Sequence, residues 1–211
     1  MTRNGWEENL VTAAAPPPLR CHELDTVHCI YSGELPPSLR PNDETVQELW
    51  RLHPSEFPDL VMNGRIVKAP RWQQAYGKDY RFSGRVSRAQ PVPPVLAPLL
   101  GWARSQVDAR LNGLLLNWYD ASLEHYIGKH RDKTTGLVDG APIVTISLGA
   151  ARVFRLRPWR APGARDFAAR HGTVFVMPFN TNRAWTHEVP HFARGRGRRI
   201  SVTIRAFTDA P

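Results

Sequence analysis

The sequence predicts a mainly β protein with flanking helices, an α+β arrangement in which two helices lead into a sandwich or barrel of antiparallel strands. Three observations carry this. Apolar and polar residues alternate with period two in a series of short segments after residue 111, turn residues bound each segment, and helical periodicity is confined to two stretches upstream. With 211 residues the chain fits one ordinary domain, able to bury about 70% of its unfolded surface.

Taken in order, residues 1–20 carry "LVTAAAPPP", too short and proline-rich for a secretory leader, and are expected to be a disordered lead-in to a single domain over 21–211. "CHELDTVHC" contains the two cysteines, Cys21 and Cys29, and two histidines. Its spacing matches no standard zinc pattern, so it reads as a plain strand. Two cysteines make no disulfide framework, which suits a reducing cytoplasm, or a nucleus in a eukaryote. "HCIYSGELPPS" reads as a short strand ending in a proline turn. "NDETVQELWRL" reads as a helix: Asn42 caps it, Asp43 and Glu44 suit its positive end, and Val46, Leu49 and Trp50 share a face. Residues 54–92 are rich in Pro, Gly and aromatics and are expected to be irregular, a loop long enough to be functional. A second helix opens at Pro93 and Pro94 and turns Leu96, Leu99, Leu100, Ala103 and Val107 inward. Over 111–207 follow "LLLNWYD", "IVTISLG", "RVFRLRP", "GTVFVMP" and "RRISVTIRAF", each a strand by its alternation. The longest apolar run, "VLAPLLGWA", is broken by Pro98 and Gly101, well short of the ~20 residues a membrane helix needs. A monomer with no membrane partner is expected.

The charge sits where chemistry would need it. His130 and Asp132, two apart, would present a nitrogen and an oxygen to one point if they lie on a strand, with Arg131 facing away. "AWTHEVP" offers His187 as a third ligand, on a turn after the strand "GTVFVMP". Two His and one carboxylate are the set that leaves open positions on non-haem Fe(II). In "RRISVTIRAF", Ile200, Val202 and Ile204 face one way while Arg199, Ser201, Thr203 and Arg205 face the other. Two guanidiniums turned into a barrel need an anion, since burying them unpaired would cost several kcal/mol each. Asn117 and Tyr119 in "LLLNWYD" add donors to the same side, and a dicarboxylate with one end on the metal fits two separated arginines.

Together, Asn117-x-Tyr119, His130-x-Asp132, "SLG" at 147–149, the distal His187 and Arg199-x-Ser201-x-Thr203-x-Arg205 resemble the AlkB family of Fe(II)- and 2-oxoglutarate-dependent dioxygenases over about residues 60–207. The resemblance implies a double-stranded β-helix (jelly-roll) core and iron held by His130, Asp132 and His187. It also implies that Arg199, with Tyr119, binds the distal carboxylate of 2-oxoglutarate, while Arg205 and Asn117 lie near its iron-bound end. The activity implied is oxidative demethylation of N-alkylated bases in nucleic acid, consuming O2 and releasing formaldehyde, succinate and CO2.

The stretch "APRWQQAYGKDYRFSG" is similar to the nucleotide-recognition lid of the DNA-repair branch, with Tyr80 and Phe82 at its stacking positions. Arg71, Lys78, Arg81, Arg85 and Arg88 are expected to meet phosphates, and the formal charge of +9 favours a polyanion, DNA ahead of RNA. Two positions depart from the repair branch. Lys133, Thr134 and Thr135 stand where an acidic residue reads the base, and Met62 and Asn63 stand where duplex-acting relatives carry an apolar wedge. The expectation is therefore a single-stranded or easily opened strand, or a changed base range. The competing readings are a hydroxylase of a small molecule or protein side chain built on the same iron chemistry, a His/Asp zinc hydrolase, and a noncatalytic nucleic-acid-binding module. The zinc hydrolase gives Arg199 and Arg205 nothing to do.

Overall fold

The computed structural model describes residues 19–62, 64–82, 85–191 and 195–208. The expected lead-in, apart from its last two positions, and Asn63 lie outside the described residues, as does part of the Arg-rich stretch after His187. In chain order the elements are β1 (Arg20–Glu23), β2 (Cys29–Glu34), α1 (Asp43–Arg51), β3 (Asp59–Met62), β4 (Arg65–Lys68), β5 (Trp72–Tyr76), β6 (Tyr80–Phe82), β7 (Arg85–Ser87), β8 (Ala89–Gln90) and α2 (Ala97–Gln106). They continue with β9 (Gly113–Asp120), β10 (Ile127–His130), β11 (Ile143–Gly149), β12 (Arg152–Pro158), β13 (Arg165–Ala169), β14 (Thr173–Met177), α3 (Phe179–Ala184), β15 (Trp185–Val189) and β16 (Arg198–Arg205).

The strands make the two facing sheets of a jelly-roll. One runs β1-β2-β14-β11-β16-β9-β5-β8, and the other β10-β15-β12-β13. Because side chains alternate along a strand, each central strand of the larger sheet serves two environments. Leu114, Leu116 and Trp118 of β9, Val144, Ile146 and Leu148 of β11, and Ile200, Val202 and Ile204 of β16 point outward. There they pack under Val46, Leu49 and Trp50 of α1 and Leu99, Trp102 and Ala103 of α2. This is the main core. A smaller cluster, with Phe154, Leu156, Phe175, Met177 and Trp185, closes one end of the space between the sheets.

Helix α1 forms as its sequence dictates: the Asn42 side chain accepts from the Thr45 amide, Asp43 and Glu44 occupy the first turn, and Val46, Leu49 and Trp50 are buried. Its far end is tied to the sheet by Trp118, whose indole Nε1 donates to the Leu49 carbonyl at 2.9 Å. Helix α2 turns in Trp102, which the alternation of leucines did not disclose, alongside the expected Leu99 and Ala103. Gly149, the glycine of "SLG", has φ +84°, and a Cβ there would collide with the Arg198 carbonyl oxygen. That close pass seats β11 against β16.

Two expectations about local structure change. The segment 54–92, read as irregular, holds the hairpins β3–β4 and β6–β7, and between them β5, which joins the larger sheet beside β9. "CHELDTVHC" is not one strand but the hairpin β1–β2, with Asp25 accepting from the Val27 and His28 amides at its turn. His22 and His28 bond Ser32 and Asp25, so both are engaged in local structure.

Buried and exposed strand positions make a paired prediction. Ile200→Ala, at a fully buried position, should lower the unfolding free energy by about 2–5 kcal/mol in urea titration. Ile66→Ala, on the exposed face of β4, should change it by no more than about 0.5 kcal/mol.

Candidate active site

The inward face of the larger sheet turns polar where it meets β10 and β15, and there it encloses a cavity of about 400 Å³. Register explains its wall. Antiparallel pairing sets Arg199 opposite Tyr119 and Ser201 opposite Asn117, and Asn117 opposite Gln73 of β5, so neighbours across three strands share one side. Asn117, Tyr119, Arg199, Ser201, Thr203 and Arg205 all line the cavity, as their alternation requires. Thr145 and Phe154 line it too, and sequence reasoning missed them because each belongs to a strand that reads as plain core.

The three candidate ligands converge. His130 and His187, 57 positions apart in the chain, are direct partners across the β10–β15 pair, with ring centroids 4.2 Å apart. His187 therefore sits within a strand and not on a turn as expected. Asp132 Oδ1 lies 3.7 Å from His130 Nε2 and 3.9 Å from His187 Nε2. Among the described residues these three form the group of His, Cys, Asp and Glu placed to hold a metal. Strand alternation is not what aligns them, since β10 ends at His130 and Asp132 follows it. Asn182 of α3 does the positioning instead: its Oδ1 accepts from the Asp132 amide and its Nδ2 donates to the Asp132 carbonyl, both at 3.0 Å. Arg131, expected to face away, is exposed and stacked 4.0 Å from the Trp159 ring, and it is also among the residues that line the cavity.

Protonation matches ligation. Burial, reinforced by the neighbouring His130, pushes His187 down to about 3, and burial also lowers His130, so both imidazoles are neutral at ordinary pH. Gly128 O lies 2.9 Å from His130 Nδ1, which fixes the tautomer with the Nε2 lone pair toward Asp132. Burial alone would raise Asp132, but Arg205 and the two imidazoles outweigh it and hold the carboxyl well below the usual range. Arg205 donates from Nε to Asp132 Oδ2 at 2.8 Å, leaving Oδ1 to the histidine side. The donor set suits ferrous iron: two neutral nitrogens and one anionic oxygen.

Arg199 is the complement. It is 1% exposed, donates to Ser147 Oγ at 2.8 Å, and stacks 5.2 Å from the Tyr119 ring, yet its Nη1 has no hydrogen-bond partner among the described residues. Burial depresses its pKa, the mark of a cation waiting for an anion. Ser147, the serine of "SLG", orients it.

The expected substrate residues divide. Tyr80 and Phe82 line the cavity mouth, with rings 5.6 Å apart and nearly parallel, and the Tyr80 hydroxyl reaches Asp132 Oδ1 at 3.5 Å. Lys133 lines the mouth, whereas Thr134 is not among the lining residues. Arg81 lies on the opposite face of β6 and is exposed. Arg71 is the correction: in place of a surface phosphate contact, it is buried in the cavity wall, donating from Nε to Asn117 Oδ1 at 2.8 Å. It stands one residue before β5, a strand that the glycine- and proline-rich composition concealed. Arg88 pairs with Asp79 at 2.7 Å and Arg85 lies 3.9 Å from Asp59, so both have carboxylate neighbours.

Comparison with known proteins agrees with this geometry. The profile of the 2OG-Fe(II) oxygenase superfamily matches residues 41–205. The chain is 33% identical to the Homo sapiens protein "DNA oxidative demethylase ALKBH2", over 89% of this chain and 75% of that one. It is 27% identical to the Rattus norvegicus "Alpha-ketoglutarate-dependent dioxygenase alkB homolog 3", over 97% of this chain and 76% of that one. In fold it is similar to the solved "structure of OsALKBH1", with a TM-score of 0.57 and 16% identity over 89% of this chain and 99% of that chain. A triad with neutral imidazoles, a desolvated arginine awaiting a carboxylate, and these likenesses meet in one conclusion: the chain belongs to the AlkB family of Fe(II)- and 2-oxoglutarate-dependent dioxygenases.

Proposed function

We propose that this enzyme oxidatively demethylates N-alkylated bases in DNA, taking a single-stranded or easily opened strand. The observation that carries the reading is the juxtaposition of the His130–Asp132–His187 group with an aromatic mouth made by Tyr80 and Phe82 on one cavity. With Fe(II) and 2-oxoglutarate bound, the site would supply hydroxylation of an N-alkyl carbon by O2, one oxygen atom going to that carbon and the other to the succinate formed from 2-oxoglutarate with loss of CO2; the hemiaminal then collapses to formaldehyde and the restored base.

The chain's own residues bind and orient. Arg199, seated by Ser147 beside Tyr119 on a wall that Ser201 and Thr203 share, grips the distal carboxylate of 2-oxoglutarate, and Asn117 and Arg205 stand near its other end. Arg205 also fixes the Asp132 rotamer. A base lifted from its strand enters between Phe82 and the His130 ring, where stacking returns about 1–3 kcal/mol against the unstacking cost. Met62, exposed on the β3–β4 hairpin, borders the cavity and suits contact with flanking bases. Elsewhere on the surface Trp159 is 44% exposed and carries Arg131 and Arg160 at 4.0 and 5.7 Å from its ring. An aromatic dressed in guanidiniums suits a nucleic-acid backbone. The human relative's name, a DNA oxidative demethylase, supports DNA as the target.

Three outcomes are expected. Succinate formation should rise when a single-stranded methylated oligonucleotide is added, and His130→Ala should abolish it; strong preference for duplex, or no stimulation by any oligonucleotide, would overturn the reading. Arg199→Ala should raise the KM for 2-oxoglutarate by roughly 10- to 1000-fold, because the other half of a buried charge pair is left alone. Asn182→Ala should weaken Fe(II) binding about 10- to 100-fold by anaerobic titration, as expected of a group that holds a ligand in place.

A further inference from the structure

Resting on the assignment of Arg199 to the distal carboxylate of 2-oxoglutarate, we propose that Arg152 is a positioning residue of that site, a second buried cation that acts through the Tyr119 ring to strengthen co-substrate binding. Alternation places it. On β12, Val153 is exposed, whereas Arg152, Phe154 and Leu156 are buried. Phe154 lines the cavity and Leu156 belongs to the apolar cluster at its end, so a guanidinium is the exception on this face. Its hydrogen bonds do not account for its charge. Nη2 donates to the His125 and Pro190 carbonyls, each at 3.0 Å, and among the described residues no carboxylate pairs with it. Those carbonyls precede β10 and follow β15, so one side chain ties together the ends of the strand pair that carries His130 and His187. A neutral donor would cap two carbonyls as well, without the cost of burying an ion.

The charge has a use one residue further in. The Arg152 guanidinium carbon lies 6.0 Å from the Tyr119 ring, and that of Arg199 lies 5.2 Å from the same ring, both within reach of its π face. Two guanidiniums thus converge on one tyrosine. Tyr119 lines the cavity and Arg152 is not among the lining residues, so the ring stands between the outer cation and the ligand space. Burial is the main cause that depresses the Arg199 pKa, and the Arg152 charge adds to it. Like charges held close in a poorly solvated interior repel, and an anion seated between them and the cavity relieves both. The distal carboxylate of 2-oxoglutarate is such an anion. Arg152 supplies attraction for it without touching it, and holds the Tyr119 ring at the angle the carboxylate meets.

The test separates charge from carbonyl capping. Arg152→Gln keeps a donor and loses the charge, while Arg152→Lys keeps the charge. Anaerobic calorimetric titration of the Fe(II)-loaded protein gives the Kd for 2-oxoglutarate, with KM, kcat and the thermal midpoint read beside it. Arg152→Gln should raise Kd and KM together by roughly 3- to 30-fold with kcat within about twofold of the unaltered enzyme, and Arg152→Lys should stay within about twofold throughout. In a Tyr119→Leu background the Arg152→Gln effect on Kd should shrink below about twofold, the non-additivity expected of two side chains that act as one unit. A lowered thermal midpoint with an unchanged Kd identifies a structural role and overturns the inference, as does an Arg152→Lys protein as impaired as Arg152→Gln, or an effect undiminished in the Tyr119→Leu background. Arg199→Ala is the control: if it too leaves the Kd in place, the assignment of Arg199 falls first, whereas a weakened Arg199→Ala beside an unaffected Arg152→Gln overturns this inference alone.

Discussion

A guanidinium taken out of water needs a counter-charge, and strand β16 carries two of them into the protein, Arg199 and Arg205, at 1% and 3% exposure. Their fates differ. Arg205 finds Asp132, and the pair settles the carboxylate with one oxygen toward the histidines. Arg199 finds a hydroxyl and an aromatic face but no carboxylate among the described residues. One arginine thus has its charge met by a carboxylate of the fold, although its Nη1 keeps no hydrogen-bond partner among the described residues, while the charge of the other is left for what the fold binds. This division of labour, set by a two-residue alternation on one strand, organises the cavity.

The same alternation decided what the sequence could disclose. In β16 and β9 a polar residue stands at every second place between aliphatics, so the residues facing the cavity could be read directly from the order of amino acids. His187 was legible as a ligand through its family likeness, but its place on β15 was not, because "AWTHEVP" is too short and mixed to show a period. Asp132 reaches its position without a strand, through the amide of Asn182, and nothing local marks an asparagine that clamps a peptide 50 residues away. Arg71 was misplaced for a related reason. A lone arginine in a loop-like composition looks solvated until pairing with β9 shows that the next residues form an inner wall.

Glycine and asparagine illustrate how small groups fix large geometry here. Gly149 lets β11 pass the carbonyl of Arg198, and this brings Ser147 within reach of the Arg199 guanidinium. Asn182 spans a gap in the hydrogen-bond ladder where β10 has ended. Neither touches the reacting centre, yet both set the angles at which the reactive groups meet, and such angles are what a preorganised centre consists of.

The apolar mass of the molecule lies on the far side of the larger sheet, under the two long helices, and the chamber contributes little to it. Most of what holds the chain folded is therefore spatially segregated from what determines its chemistry. Evolution can rewrite the chamber wall residue by residue, exchanging a donor for an acceptor or a cation for an anion, while the scaffold behind it stays intact. A sheet with two independent faces is a physical basis for one architecture acquiring many specificities.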